Sequence, residues 1–195
     1  MKQSAPAAVR NREPIREVLA RHLPPTGRVL TIAEGTGEHV VYLARSFPAL
    51  TWLPTDRDVA ALASITAWRA EAALDNILPA AQLDVTAAAW PVEHADAITC
   101  INMVHIAPWE AALGLFSGAA QRLSRDALLY LYGPFRFDGA FTSPSNEAFD
   151  ASLRARDARW GVRDVRDVER AATSFALRDI IAMPANNHSL VFRRL

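Results

Sequence analysis

The sequence has 195 residues, of which 51% are apolar and 22% are charged, a balance typical of one globular domain that excludes global disorder. Its 21 basic residues equal its 21 acidic residues in number, so it lacks the positive charge of a general nucleic-acid binder. No apolar run is long enough to span a bilayer, and the start of the chain has no signal-peptide core. We therefore expect a cytoplasmic protein, a monomer or homodimer, with no nucleic-acid or membrane partner.

Metal and redox sites are not expected either. Cys100 is the only cysteine, so the chain has no CxxC motif and no internal disulfide. The five histidines are not paired at the three- or four-residue spacing that places two metal ligands on one helix face. We expect no metal cofactor.

Helical and strand patterns alternate along the chain. The first helix is predicted over residues 4–23, with helices over 38–46, 58–73 and 108–123 after it. Buried strands are predicted over 28–33, 50–54, 80–83, 95–101 and 127–132, and two closing strands, 179–183 and 189–192, are joined by a connection of hairpin length. The order predicts an α/β fold, a three-layer Rossmann-like doubly wound sheet that is mostly parallel and ends in an antiparallel hairpin. We expect residues 1–195 to form a single domain.

Two segments are predicted to close over a site. Residues 133–146 form the longest predicted loop and carry three phenylalanines between glycines and prolines. Loops of this length inside a compact domain are usually functional or mobile, although these aromatic side chains could also serve only to anchor a surface loop. We expect residues 133–160 to form an insertion over the substrate and the helix within residues 1–24 to act as a lid. The segment 154–170 alternates arginine with acidic residues, which indicates a solvated face with ion pairs.

A glycine turn follows the strand at 28–33. Gly35 and Gly37 lack a Cβ that would keep a ligand away from the backbone. Asp56 ends the next predicted strand and can bind both hydroxyls of a ribose, whereas Asp84 ends the third and can accept a hydrogen bond from an adenine amino group. Each acid alone could be a turn or cap residue, but three consecutive strand ends of this kind predict a nucleoside site.

Two features indicate which nucleoside binds: a departure from the dinucleotide-binding fingerprint and a resemblance to a known protein family. Val40 occupies the third glycine position of a dinucleotide fingerprint, which disfavours a nicotinamide oxidoreductase. The leading helix and terminal hairpin resemble the class I S-adenosylmethionine (SAM) methyltransferases. Several segments are similar to the methyltransferase-like 26 family, domain of unknown function 938: GTGEHVVYLARSFP, NMVHIAPWE, LYGPF, TSPSNEAFD and MPANN.

The resemblance implies SAM as the co-substrate. It places Gly35 and Gly37 beside SAM, Asp56 at the ribose, Asp84 near the adenine and Asn102 near the methionine moiety.

The chain departs from the family pattern at the end of the first strand. The family has an acid where this chain has Thr31, and a small residue where it has Glu34. That acid commonly holds the amino-acid end of SAM. We hypothesise that Glu34 takes over this role; in the alternative, Glu34 points to solvent and SAM binds weakly.

Candidates for catalysis and acceptor binding lie past the strand ends. His105 follows the fourth strand and titrates near neutrality, so it could take a proton from an acceptor, although a structural histidine is as good an explanation. Tyr132 could orient the acceptor or pack inside the sheet. Polar residues in or near the two predicted covering segments and the closing hairpin are candidates for acceptor binding: Arg10, Asn11, Arg136, Asn146 and Asn187.

The predicted function is SAM-dependent methyl transfer to oxygen, nitrogen or sulfur of a small-molecule acceptor. Two alternatives remain open. One is other SAM chemistry on the same fold, such as cyclisation or a lyase reaction that releases methylthioadenosine. The other is a non-catalytic SAM-binding subunit.

Overall fold

The computed structural model describes all 195 residues, which form ten strands and six helices. The strands are β1 (Gly27–Ile32), β2 (Leu50–Asp56), β3 (Ala81–Gln82), β4 (Ala95–Ile101), β5 (Leu123–Gly133), β6 (Phe135–Phe137), β7 (Ala140–Phe141), β8 (Arg163–Asp164), β9 (Phe175–Met183) and β10 (Asn187–Arg194). The helices are α1 (Pro6–His22), α2 (Glu38–Ser46), α3 (Val59–Ala72), α4 (Trp109–Arg122), α5 (Pro144–Arg156) and α6 (Val165–Ala171).

Seven strands form one sheet in the order β3-β2-β1-β4-β5-β10-β9. The first five are parallel, whereas β10 runs antiparallel to both β5 and β9. The predicted α/β class and its closing antiparallel hairpin are confirmed. The chain leaves β1 towards β2 on one side and later returns to β4 on the other, which opens a crevice at the carboxyl ends of β1 and β4.

Both faces of the sheet are covered. Val29 packs in the cluster under α1, α2 and α3, whereas its neighbour Leu30 packs in the cluster under α4 and α6. Adjacent residues of a strand point to opposite faces, so a run of apolar residues serves both clusters. None of the helices combines the length and the apolar character that crossing a membrane requires.

The prediction of a loop over residues 133–146 is wrong. Phe135 is fully buried and begins β6, which pairs with β7 and β8 in a second, three-stranded sheet. Ser143 then caps α5 by accepting a hydrogen bond from the backbone N–H of Asn146. Strands of two or three residues are too short to show an alternating pattern, so the sequence showed only their turn residues. The ion-paired face further along is confirmed by the pairs Arg154–Asp150 and Arg159–Asp157, each at 2.7 Å.

Candidate active site

Two adjoining cavities lie in the crevice at the carboxyl ends of β1, β2 and β4. The first, of about 340 Å³, lies beside β2 and β3 and is called the β2-side cavity. The second, of about 260 Å³, lies beneath the start of α1 and is called the α1-side cavity. They share a wall that contains Ala33 and Asn102. Asn102 has a left-handed backbone, with φ of 64°, which turns the chain away from β4 at this wall.

Asp56 holds the glycine turn in place. Its Oδ2 accepts a hydrogen bond from the Gly35 N–H at 2.9 Å, and its Oδ1 accepts one from the Asp58 N–H at 2.9 Å. Gly35 lines the α1-side cavity with φ of 67°, and no atom lies within 4 Å of the place where its Cβ would be. Gly37 lines neither cavity; its φ is 96°, and a Cβ there would lie 2.9 Å from the Ile65 Cα. Its predicted contact with SAM does not fit the structure, in which Gly37 allows α2 to pack against α3.

The β2-side cavity has the composition of a nucleoside site. Asp56 and Asp84 line it together with apolar side chains that include Val85 and Met103. Hydrogen bonds from the hydroxyl and the backbone N–H of Thr86 lower the pKa of Asp84, which keeps it ionised. Carboxylate acceptors beside a flat apolar slot fit the hydroxyls of a ribose and the face and amino group of an adenine.

Trp160 is a lining residue of this cavity that the sequence analysis missed. It reaches the cavity from the segment after α5, so part of the predicted covering insertion lies at the nucleoside end of the site. No local pattern marks it, because its position depends on how the second sheet folds back over β4.

Glu34 lines the α1-side cavity with Thr31. Its Oε1 accepts a hydrogen bond from the Val40 N–H at 2.7 Å, and its exposed fraction is 9%. Burial raises the pKa of Glu34 to about 7, and the neighbouring Thr31 hydroxyl opposes the rise. The alternative in which Glu34 points to solvent is therefore wrong. The Glu34 carboxyl therefore lies next to Thr31, the residue at the position where the family has an acid.

His39, which the sequence analysis missed, lines the same cavity. Its Nε2 lies 2.8 Å from the Asn11 Oδ1. Burial lowers the pKa of His39 to about 4, so the ring is neutral at pH 7. With Nε2 donating to Asn11, Nδ1 carries the lone pair; it has no protein partner and is not among the buried atoms. His39 follows the glycine turn by two residues, and this position at the start of α2 is the sequence feature that could have identified it as a site residue.

Neither predicted catalytic residue fits the structure. His105 is fully buried and lines neither cavity, because its ring packs edge-on against Phe135. Its Nδ1 accepts a hydrogen bond from the Arg163 N–H at 3.2 Å, and burial lowers the pKa of its ring to about 3. Tyr132 is 2% exposed and lines neither cavity. Tyr132 instead packs in the cluster under α1, α2 and α3, and His105 is a structural residue.

Of the predicted acceptor-binding residues, only Asn11 lies in the crevice. Arg10 is exposed outside it, and Arg136 lines a third, separate cavity. The Asn146 Nδ2 donates to the Asn186 carbonyl at 2.8 Å, and the Asn187 Nδ2 donates to the Pro184 carbonyl at 3.1 Å. Arg136 and Asn146 were assigned to the crevice because a loop was expected to cross it, whereas these residues belong to β6 and α5. Arg10 was assigned from the predicted N-terminal lid and Asn187 from the closing hairpin.

Comparison with known protein families gives one match over almost the whole chain. The model of DUF938, a family described as proteins of unknown function, matches residues 2–194. The chain belongs to the DUF938 family. The narrower resemblance to methyltransferase-like 26 stays a prediction.

Solved structures share the fold of this DUF938 chain. CalO1, a methyltransferase in calicheamicin biosynthesis solved with S-adenosylhomocysteine (SAH) bound, has a TM-score of 0.74 at 16% identity, over 91% of this chain and 52% of its own. The mitomycin 7-O-methyltransferase MmcR has a TM-score of 0.79 at 14% identity, over 95% and 54%. An O-methyltransferase family 2 protein from Planctomyces limnophilus, solved in complex with apigenin, has 0.74 at 16% identity, over 94% and 62%. The chain thus spans little more than half the length of these proteins, and the likeness concerns the fold.

Proposed function

We propose that this DUF938 protein transfers a methyl group from SAM to a small-molecule acceptor. The observation that carries the proposal is the pair of adjoining cavities, which have Asp56 at one end and Glu34 at the other. The fold shared with CalO1, which was solved with SAH bound, supports it.

The two cavities offer a partner for each end of SAM. Asp56 would accept hydrogen bonds from the ribose hydroxyls, and Asp84 would accept one from the adenine amino group. Glu34 would receive the ammonium group of the methionine moiety, with Asn102 at the wall between the two ends. When bound, SAM supplies an electrophilic methyl group.

The remaining task of the protein is to orient the acceptor and to take its proton. Because the cationic sulfonium becomes neutral in the reaction, holding the reacting groups in line is expected to contribute most of the rate, about 7–11 kcal/mol in well-oriented systems. His39 is neutral and presents Nδ1, so we assign it, in place of His105, the role of holding the proton that leaves the acceptor. The hydrogen bond to Asn11 fixes the orientation of its ring.

Calorimetric titration with SAH tests the site directly. We expect the wild type to bind SAH and Asp56→Ala to bind at least about tenfold more weakly, because two charge-assisted hydrogen bonds are lost. Asp75→Ala, which removes an exposed carboxylate outside both cavities, is the matched control and should bind like the wild type. A wild type that does not bind SAH, or an Asp56→Ala variant that binds equally well, would overturn the proposal.

The nucleoside product separates methyl transfer from the other SAM reactions. Incubation with SAM and a panel of phenols, amines and thiols should give SAH, detected by mass spectrometry. Methylthioadenosine as the product would replace methyl transfer by lyase or cyclisation chemistry at the same site.

A further inference from the structure

A third cavity, of about 460 Å³, lies between α4, α6 and the small sheet of β6, β7 and β8. It shares no lining residue with the β2-side or the α1-side cavity. Three arginines line it, Arg136, Arg163 and Arg170, and Trp109 and Leu113 form its apolar wall. We call it the arginine cavity.

Arg136 is a cation without a counter-ion. Its guanidinium makes no ion pair and no hydrogen bond within the protein, and its Nε is buried without a partner. The guanidinium lies over the Phe141 ring, with its Cζ 5.5 Å from the ring centre. The terminal nitrogens are not among the buried atoms, so they are open to a ligand.

The carboxylates of the cavity are already engaged elsewhere. Asp164 is 6% exposed, and its two oxygens accept hydrogen bonds from the backbone N–H groups of Gly139, at 2.6 Å, and Arg166, at 3.0 Å. Asp167 lies 3.5 Å from Arg170. Neither acid forms an ion pair with Arg136.

Arg163 adds a second, rigid positive charge. Its Nε donates to the Val104 carbonyl at 2.9 Å and its Nη2 to the Ala107 carbonyl at 2.7 Å, so the guanidinium is fixed before any ligand arrives. Burial lowers the pKa of Arg163; the charges of Arg154 and Arg136 add to this effect, whereas Asp150 and Glu110 oppose it. Arg136 and Arg163 line the same cavity, so an anion bound there would face two guanidinium groups.

We propose that the arginine cavity binds a small organic anion, whose carboxylate or phosphate lies on the guanidinium of Arg136 and whose apolar body packs against Trp109 and Leu113. A planar guanidinium can bind either group through two parallel hydrogen bonds. The exposed fraction of Leu113 is 45%, which leaves apolar surface that such a ligand would cover. The site is separate from the crevice, so its ligand need not be the methyl acceptor.

NMR titration of the full-length ¹⁵N-labelled protein tests this site without any activity assay. Benzoate and phenyl phosphate are the probes, and benzyl alcohol is the neutral control. We expect at least one anion to shift the Arg136 Nε–H and Trp109 indole signals, with weaker binding at high salt, whereas benzyl alcohol should shift neither. A preference between the two anions identifies the head group.

Two variants complete the experiment. Arg136→Gln should weaken binding of the anion at least about tenfold, and Arg136→Lys, which keeps the charge but loses the planar fork, should fall between it and the wild type. Arg166→Gln is the matched control and should bind normally, because Arg166 is already paired with Asp138 at 2.6 Å. The proposal is overturned if neither anion moves the wild-type signals, or if Arg136→Gln binds as tightly as the wild type. If Arg136→Gln fails to fold, the wild-type titration by itself decides whether the proposal holds.

Discussion

Glu34 is a residue at which folding and the proposed binding of SAM make opposite demands. Burial raises its pKa from 4.5 to about 7, so the folded state is destabilised as pH rises from about 4.5 to 7 and stays so above 7. A shift of this size corresponds to about 3 kcal/mol. Glu34→Gln keeps an oxygen for the Val40 N–H but removes the charge. We expect this variant to unfold at higher urea concentration than the wild type at pH 8, and to bind SAM at least about tenfold more weakly.

The pH dependence distinguishes this explanation from a general effect of the substitution. The advantage of Glu34→Gln should shrink as pH falls towards 4, where the wild-type carboxyl is protonated in both states. Glu17→Gln, at an exposed position of α1, is the control and should change neither stability nor SAM binding. Equal stability of wild type and Glu34→Gln at pH 8 would contradict the prediction.

The two histidines near the crevice mark the limit of sequence analysis at the residue scale. The sequence correctly placed His105 just beyond β4, but a position past a strand end does not give the direction of the side chain. That direction depends on Gly133: a Cβ there would lie 2.5 Å from the His105 Nε2, so the glycine leaves room for the ring to be buried. His39 was missed because its role as a site residue depends on its hydrogen bond with Asn11, which lies 28 residues earlier on α1. Contacts of this range leave no local pattern.

At the scale of elements, the start of α1 is fastened over the α1-side cavity. Ala5 lines this cavity, and its backbone N–H donates to the Glu38 Oε2 at 2.6 Å. The Ser4 hydroxyl donates to the Glu38 Oε1 at 2.8 Å. Glu38 itself begins α2, directly after the glycine turn. One carboxylate therefore holds both residues that precede α1.

Glu38→Ala should release this segment without unfolding the protein. We expect faster hydrogen exchange over residues 1–8 in the variant, and slower exchange there when SAH is added to the wild type. Glu71→Ala, which removes only the exposed ion pair with Lys2, should change exchange much less. Unchanged exchange in Glu38→Ala would show that the hydrophobic contacts of α1 hold the segment by themselves.

The long elements were predictable from sequence, and the short ones were not. The bounds predicted for α2 and β4 agree with the structure because their apolar residues recur over seven or more positions. The small sheet of β6, β7 and β8 has two or three residues in each strand, and its pairing joins Arg136 to Asp164 across 28 positions. That pairing moved the predicted covering insertion away from the acceptor end, so Trp160 and not Arg136 reaches the crevice.

Trp160 offers an optical test of this placement. Because its indole lines the β2-side cavity, SAH bound there should change the tryptophan fluorescence of the protein. Trp160→Phe should lose most of that change while still binding SAH in calorimetry. Trp90→Phe is the control, since Trp90 is buried against α4 at Gly118 and lines neither cavity. A fluorescence change that survives in Trp160→Phe would place the nucleoside elsewhere.

At the scale of the whole molecule, buried histidines set the response to acid. Burial lowers the pKa of His39 to about 4 and that of His105 to about 3, so both stay neutral in the folded state while the unfolded chain takes up protons below pH 6.5. Each therefore removes about 1.4 kcal/mol of stability per pH unit between pH 6.5 and its pKa in the folded state. Glu34 acts in the opposite direction between pH 7 and 4.5, because its folded state binds the proton more tightly.

The balance of these groups predicts a net loss of about 3 kcal/mol in the free energy of unfolding between pH 6.5 and 4.5, since two histidines oppose one glutamate over two pH units. Burial also lowers the pKa of His22 and His188, which adds to the loss. Urea unfolding at half-unit pH steps measures it. His39→Gln should flatten the profile, because His105 and Glu34 then nearly cancel and only the contribution of His22 and His188 is left; Glu34→Gln should make the profile steeper. A wild-type profile that is already flat would mean that His39 or His105 is protonated in the folded protein, which would also remove the neutral Nδ1 on which the role of His39 depends.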